Sequence, residues 1–276
     1  MPELPEVEVV KRGLLKHLPG KTVVGFYCDG KKLRLPVPVE RIEQLLVGAQ
    51  IVDVSRRAKY LLIHFANGAI MILHLGMTGT LGLFPKTSKG EVHDHICWNL
   101  DNGYELRFND SRRFGSVRVI DPEEVTVLEQ TVFNTSGPEP FSTTFSGLYL
   151  YKKANNKVQP VKSFIMDSRI VAGVGNIYAN ESLFNASIRP ARKAGAISEK
   201  RYDLLAEEIR NVLTKAIEYG GSTISDFISA GGDSGYFQVH FNVYGKRGQP
   251  CPHCSNPIKH QKIGGRASYF CPRCQR

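Results

Sequence analysis

The sequence predicts an α+β protein. A leading helix and a β-sandwich or barrel come first, then a helical half that ends in a four-cysteine finger. Three observations predict this. The first half holds short apolar runs punctuated by Asn-Gly pairs. Helical periodicity takes over beyond Asn134–Phe141, "NTSGPEPF". The tail carries C-x2-C twice.

The chain opens "MPELPEVEVV". Pro5 suits the first position of a helix over Glu6–Leu18, Glu6 and Glu8 sit at its positive dipole end, and Pro19-Gly20 stop it. Val7, Val10, Leu14 and Leu18 form its apolar stripe. The next hundred or so residues read as strands without helices between them. "YLLIHFANGAIMILHL" is two apolar runs joined at Asn67-Gly68, and "ICWNLDNGYELRF" repeats the device at Asn102-Gly103; both are hairpin signals. Val23–Tyr27, Ile51–Ser55 and Val117–Ile120 supply further strands, a spacing that means a sandwich or barrel. Helices are predicted over Ser163–Ser168, Asn176–Ala186 and Glu199–Tyr219, the last stopping at Gly220-Gly221. The boundaries follow: a first domain over 1–134, a linker over 135–146, a helical domain over 147–241 and a finger over 242–276.

Charge narrows the function. Thirty-six Lys and Arg against 26 Asp and Glu leave a formal +10. Such a balance suits a polyanionic partner, or plain solubility. Distribution favours the partner: from Asn242 to Arg276 stand Lys246, Arg247, Lys259, Lys262, Arg266, Arg273 and Arg276, with no Asp or Glu. No apolar run approaches the roughly 18 residues of a membrane span, and no signal peptide is visible, so a soluble intracellular protein is expected. Cys251, Cys254, Cys271 and Cys274, with sixteen residues between the two C-x2-C pairs, have the spacing of a structural Zn2+ site; two disulfides are the competing reading. Cys28 and Cys97 read as buried structural thiols. "VAGVGNIYANE" sets a Gly173/Gly175 turn before a helix starting at Asn176. No strand precedes it, so it reads as a phosphate-holding element or a mere helix connector rather than a dinucleotide fingerprint.

Taken together, "PELPEVE" (2–8), "RRAKYL" (56–61), "HLGMTG" (74–79), "HDH" (93–95), "DSRRFG" (110–115), "GPEP" (137–140), "GVGNIYANESLF" (173–184) and the finger resemble the formamidopyrimidine-DNA glycosylase family from end to end. The resemblance implies a β-sandwich, a helix–two-turn–helix domain and one structural zinc. It implies a bacterial-type, cytoplasmic, monomeric repair enzyme acting on damaged double-stranded DNA. Such an enzyme removes oxidised purines and cleaves the abasic site by β,δ-elimination.

That chemistry answers why a proline follows Met1 directly. A bifunctional glycosylase needs an amine that attacks C1′ and leaves a cationic imine as electron sink. A generic α-amino group is roughly 10% neutral at pH 7, whereas an unperturbed lysine is well under about 0.1% neutral. The resemblance implies Pro2 as nucleophile, Glu3 as the assisting acid, and Glu6 as a supporting carboxylate. Lys59 is implied for the phosphates and β-elimination, and Arg266 for δ-elimination. Glu8 reads as a dipole-friendly acid. A flipped base leaves a hole, and Met77, Arg112 and Phe114 match the family's filling residues. His74, His93, Lys162 and Asn176 resemble the groups gripping the kinked backbone, and Lys157 joins them as a DNA contact.

Two departures stand out. "NNKVQPVK" leaves only Lys157 and Lys162 in a stretch that is often more basic, and Ser225 stands where relatives often carry Lys or Arg. The sister endonuclease VIII type usually starts P-E-G-P and lacks the Arg112/Phe114 arrangement, so "PELPEVE" and "SRRFG" favour the purine branch. A DNA-binding protein without catalysis would need no free terminal amine.

Overall fold

The computed structural model describes residues 2–220 and 241–276, in two compact units that divide between Asn134 and Thr135. Ser225 lies outside the described residues.

In the first unit, α1 covers Leu4–Leu15. It starts two residues earlier than expected because Glu3 takes the extended N-cap conformation (φ −108°, ψ −169°), which moves Pro5 to the second helical position. Val7, Val10, Leu14 and Leu18 are at most 1% exposed, so the predicted stripe is the buried one. After β1 (Val23–Cys28) comes a helix that the sequence reading missed, α2 (Val39–Leu45). Only Ile42 of this seven-residue helix is buried, too weak a pattern to register. Then follow β2 (Ile51–Arg57), β3 (Tyr60–Phe65), β4 (Ile70–His74), β5 (Thr80–Pro85), β6 (Asp94–Leu100), β7 (Tyr104–Asn109) and β8 (Ser116–Ile120). They form two antiparallel four-stranded sheets, β1-β6-β7-β5 and β2-β3-β4-β8. Both expected hairpins are present, with Gly68 (φ +88°) and Gly103 (φ +81°) at the turns.

The two sheets share one core, a β-sandwich. Leu61, Ile63, Phe65, Met71 and Leu73 face it together with Trp98, Phe108 and the α1 stripe. Leu62, Ile70 and Ile72 face the opposite way into a second cluster with Ile120, Leu128 and Phe133. A 3-10 turn over Pro122–Val127 and the short helix α3 (Leu128–Thr131) bring Leu128 to that cluster. Burial on both faces explains why β3 and β4 read as continuous apolar runs instead of alternating. Cys28 and Cys97 are half-buried rather than buried. Burial and the neighbouring Asp94 and Glu105 push the Cys97 thiol up to about 12, which leaves it inert.

The second unit contains α4 (Gly147–Ala154), α5 (Val161–Met166), α6 (Asn176–Asn185) and α7 (Glu199–Glu218). Its core joins Phe145, Leu150, Phe164, Tyr178, Leu183, Tyr202 and Leu213. The sequence reading did not list α4, although Ser146 is a sequence-visible N-cap whose hydroxyl accepts the Tyr149 N–H at 3.1 Å. The tail forms a hairpin, β9 (Lys259–Ile263) and β10 (Arg266–Phe270), turned at Gly264-Gly265. No helix among the described residues is long and apolar enough to cross a membrane.

Gly147 sits where α4 meets α7, and a Cβ there would run into the backbone of Asp203. Gly147→Ala should therefore destabilise the helical unit by about 3 kcal/mol, because backbone cannot yield as a side-chain end can. Ser146→Ala, which loses only a cap, should cost about 1 kcal/mol. Urea titration followed by circular dichroism measures both; equal losses would refute the packing account.

Candidate functional site

Within the first unit, Pro2 and the N-cap Glu3 lead into α1, whose first turn carries Glu6. Glu3 and Glu6 are 1% and 2% exposed. The Glu6 carboxylate accepts the Glu3 N–H at 2.8 Å, so Glu6 fixes the backbone from which Glu3 projects. Glu8 does more than complement a helix dipole. It accepts from Lys11 at 2.9 Å, Arg12 at 3.0 Å and, on β2, Arg56 at 3.0 Å. Burial works to raise its pKa, but those cations outweigh burial and hold the carboxyl below its ordinary value. Arg56 in turn donates to the Ala58 carbonyl at 2.8 Å. Ala58 is held at φ +54°, and Lys59 follows it. One chain of contacts thus ties the helix that follows Pro2 to the turn bearing Lys59.

Tyr60 pairs with His74 across β3 and β4, which sets Lys59 beside His74. Burial first, and then the charges of Lys59 and Arg34, lower the His74 pKa to about 4. Its Nδ1 accepts the Gly76 N–H at 3.0 Å, so the ring's single proton is on Nε2. His74 is therefore a neutral donor at physiological pH. The sign for stability follows: with the folded value below the unfolded value of about 6.5, native stability is lost as pH falls from there toward about 4. Arg34, which the sequence reading passed over, adds a cation at this end of the unit.

Beyond His74 the chain turns tightly. Gly76 has φ +70°, and a Cβ there would lie 2.5 Å from the backbone of Phe114 and Gly115. Two loops, the one bearing Met77 and the one bearing Arg112 and Phe114, are thereby pressed together. Asp110 holds them. This carboxylate is 0% exposed and accepts from Thr78 Oγ1 at 2.5 Å, the Arg112 N–H at 3.3 Å and the Gly115 N–H at 2.7 Å. Phe114 is 45% exposed, which disposes of a core role for it. The Arg112 guanidinium stacks on its ring, 4.8 Å from the centroid. His93 is exposed, held at φ +80°, and its carbonyl accepts the Asp110 N–H at 3.2 Å.

The second unit holds the remaining residues. Lys162, which resembles one of the groups gripping the kinked backbone, is buried in this unit. It is 1% exposed, and its ammonium donates to Asn176 Oδ1 at 2.6 Å, the Ala267 carbonyl at 2.6 Å and Ser268 Oγ at 2.8 Å. An ammonium has three protons, and these acceptors take them. Lys162 therefore binds helix α6 to the finger hairpin. It also points the Asn176 oxygen inward, so the Asn176 amide N–H groups face away, at the start of α6. Asn180 repeats the tie by accepting the Tyr269 N–H at 2.8 Å. Glu181, 3% exposed, accepts the N–H groups of Asn242, Val243 and Tyr244 at 2.7, 2.9 and 2.9 Å. Arg266 is exposed beside the hairpin turn, and Lys157 lies in an exposed loop.

The four sulfurs of Cys251, Cys254, Cys271 and Cys274 lie within 4.8 Å of one another. Cys251–Cys274 is 3.9 Å and Cys254–Cys271 3.5 Å, close to the roughly 3.8 Å edge of a tetrahedron with Zn–S of about 2.3 Å. Burial and then its neighbouring cysteines push Cys274 up to about 12, as expected of thiols gathered where only a cation lets all ionise. The donor set fits one structural Zn2+, and the alternative of two disulfides is not what the sulfurs form.

Lys162→Met should leave the Asn176, Ala267 and Ser268 acceptors facing a methyl group, at a cost of about 1–3 kcal/mol for each buried acceptor left unmet. Zinc release to a chelator should accelerate at least about tenfold, and proteases should cut within 259–270. Unchanged release would mean that the hairpin stands without the lysine.

Known proteins resemble the chain over its whole length. Residues 1–117 match the formamidopyrimidine-DNA glycosylase N-terminal domain, 136–228 the formamidopyrimidine-DNA glycosylase H2TH domain, and 248–276 a zinc finger found in FPG and IleRS. The chain is 49% identical to formamidopyrimidine-DNA glycosylases of Stenotrophomonas maltophilia and Photobacterium profundum, covering 100% of both chains in each case. A Lactococcus lactis FPG mutant crystallised with Fapy-dG DNA superposes with TM-score 0.91 at 33% identity, and the same protein with abasic-site DNA with TM-score 0.90, both over 100% of each chain.

Proposed function

Because this chain belongs to the formamidopyrimidine-DNA glycosylase family, we propose that the residues assembled above excise an oxidised purine and then cut the strand at the abasic site. The enzyme is a bifunctional glycosylase and abasic-site lyase of base-excision repair, acting on formamidopyrimidine and other oxidised lesions and on abasic sites in damaged double-stranded DNA. It works in the cytoplasm, as a monomer. One zinc, held by Cys251, Cys254, Cys271 and Cys274, cross-links the finger and takes no part in the chemistry.

The reaction follows from the groups. With Met1 removed, the Pro2 nitrogen attacks C1′ as the bond to the base breaks, and Glu3 supplies a proton to the departing base or to the opening sugar. The resulting iminium at C1′ draws electrons from the sugar. Loss of a C2′ proton expels the 3′ phosphate; loss of a C4′ proton then expels the 5′ phosphate. Lys59 serves at the phosphates and in the first elimination, Arg266 in the second. Glu6 acts through Glu3, whose backbone it fixes. His74, His93, Asn176 and Lys157 grip the backbone, His74 as a neutral donor. Lys162 serves by aiming Asn176 and seating the finger.

The observation that carries this reading is the wedge. An exposed phenylalanine under a stacked arginine, braced from below by a buried carboxylate, suits entry into a duplex far better than it suits a free surface. Met77 and Phe114 fill the gap left by the flipped nucleotide, and Arg112 hydrogen-bonds the widowed base.

Two outcomes test the reading. Protein retaining Met1, or carrying a tag before Pro2, should lose borohydride trapping and strand cleavage yet bind lesion duplex with little change. Trapping by a protein with a verified blocked N-terminus would overturn the nucleophile assignment. Arg112→Ala should lower discrimination of the base opposite the lesion by on the order of 1–3 kcal/mol. Phe114→Ala should slow cleavage of an abasic site in duplex and spare the same site in single-stranded DNA; equal losses would exclude the wedge.

A further inference from the structure

The stretch "HDH" contributes His93 to the site and leaves its second histidine without a role. His95 is 1% exposed, in β6. Its Nδ1 lies 2.8 Å from Asp29 Oδ2, and its Nε2 lies 2.9 Å from the Asp110 carbonyl oxygen. A carboxylate and a carbonyl can only accept. A neutral imidazole owns one N–H and would meet one of these oxygens with a bare lone pair. Both contacts are satisfied together only when both ring nitrogens donate, which makes the ring an imidazolium with Asp29 as its counter-ion. The other charged and titratable groups around this pair are Lys31, which gives Asp29 its backbone N–H at 2.9 Å and its ammonium at 3.3 Å, and His93, whose ring centre lies 6.1 Å away.

Asp110 is where this pair meets the site. Its carbonyl receives His95 and the Arg113 N–H (3.1 Å), and its own N–H goes to His93. Its carboxylate gathers Thr78, Arg112 and Gly115. Thr78 also accepts the Arg112 N–H at 3.2 Å, so both loops close on one residue. A shift of the Asp110 backbone would move Met77, Arg112, Phe114 and His93 together.

We propose that His95, as an imidazolium braced by Asp29, is the positioning residue for the Met77, Arg112 and Phe114 wedge and acts through Asp110. The proposal rests on reading those three residues as the wedge. It makes duplex entry, and not the cleavage chemistry, depend on the two hydrogen bonds of one buried ring. Losing either bond would leave a buried oxygen unmet and loosen Asp110.

The test is the ratio of cleavage rates for one abasic site in duplex and in single-stranded DNA at one pH, where the state of the Pro2 amine enters both rates and cancels. His95→Gln should lower the ratio about tenfold, the scale of one lost hydrogen bond to a charged group, while keeping single-strand cleavage, which also shows that it folds. Asp29→Asn lets a neutral ring keep both bonds, since the amide can donate to Nδ1 while Nε2–H still meets the Asp110 carbonyl, so its ratio should stay at the wild-type value; Asp29→Ala should lower it. An unchanged ratio in His95→Gln, an Asp29→Asn ratio that falls as far as that of Asp29→Ala, or equal loss on both substrates in His95→Gln would overturn the proposal. Phe114→Ala, run beside them, separates the two ideas: if it leaves the ratio unchanged, the wedge reading fails; if it lowers the ratio while His95→Gln leaves it unchanged, only the role of His95 fails.

Discussion

Asp110 is cut off from solvent, and a carboxylate in that position is tolerable only when hydrogen bonds replace the water it has lost. The donors that replace it come from two loops, and this is what holds those loops in register. Thr78 comes from the loop after β4, and the N–H groups of Arg112 and Gly115 from the loop before β8. Leu75 anchors the first loop in the core, but Phe114 and Arg112 on the second are turned outward. An exposed phenylalanine such as Phe114 costs stability in the free protein. It stays in place because releasing its loop would leave a buried charge unmet, which is worth more than the exposure costs.

The helical unit uses the same device with the opposite sign. The Lys162 ammonium is enclosed by oxygens from α6 and β10, and Glu181 lies one turn of α6 beyond Ile177 with three backbone N–H groups on its carboxylate. The finger is small, polar and rich in turns, with a core of little more than Val243, Ile258 and two cysteines against Phe184. Its order comes from the metal on one side and from these buried charges on the other. That arrangement leaves Arg266 at an exposed turn on a well-seated hairpin, a rigid mount for a flexible cation.

Charge placement also fixes protonation states. His74 is kept neutral by burial and by Lys59 and Arg34, so it adds no charge beside the turn that bears Lys59. Glu8 stays ionised among Lys11, Arg12 and Arg56 and spends its charge on geometry. The excess of ten positive charges is thus not spread as a uniform coat. Some of it is consumed internally, and the exposed remainder includes Arg112, Lys157, Lys262 and Arg266.

Read alone, the sequence determined whatever is local or periodic. The stripe of α1, the two Asn-Gly hairpins, the cysteine spacing and the one-sign tail were legible because turn chemistry, amphipathic period and metal ligation each need fixed residue types at fixed intervals. Short elements with little burial, α2 above all, left no pattern to find. Tertiary structure decided what happens to charge. Nothing local separates Lys157, which is exposed, from Lys162, which is buried with its protons committed, or marks Glu8 and Asp110 as clamps rather than surface acids. A charged side chain's role is set by how much water it keeps and by which distant backbone groups replace that water, and both are known only once the chain has folded around it.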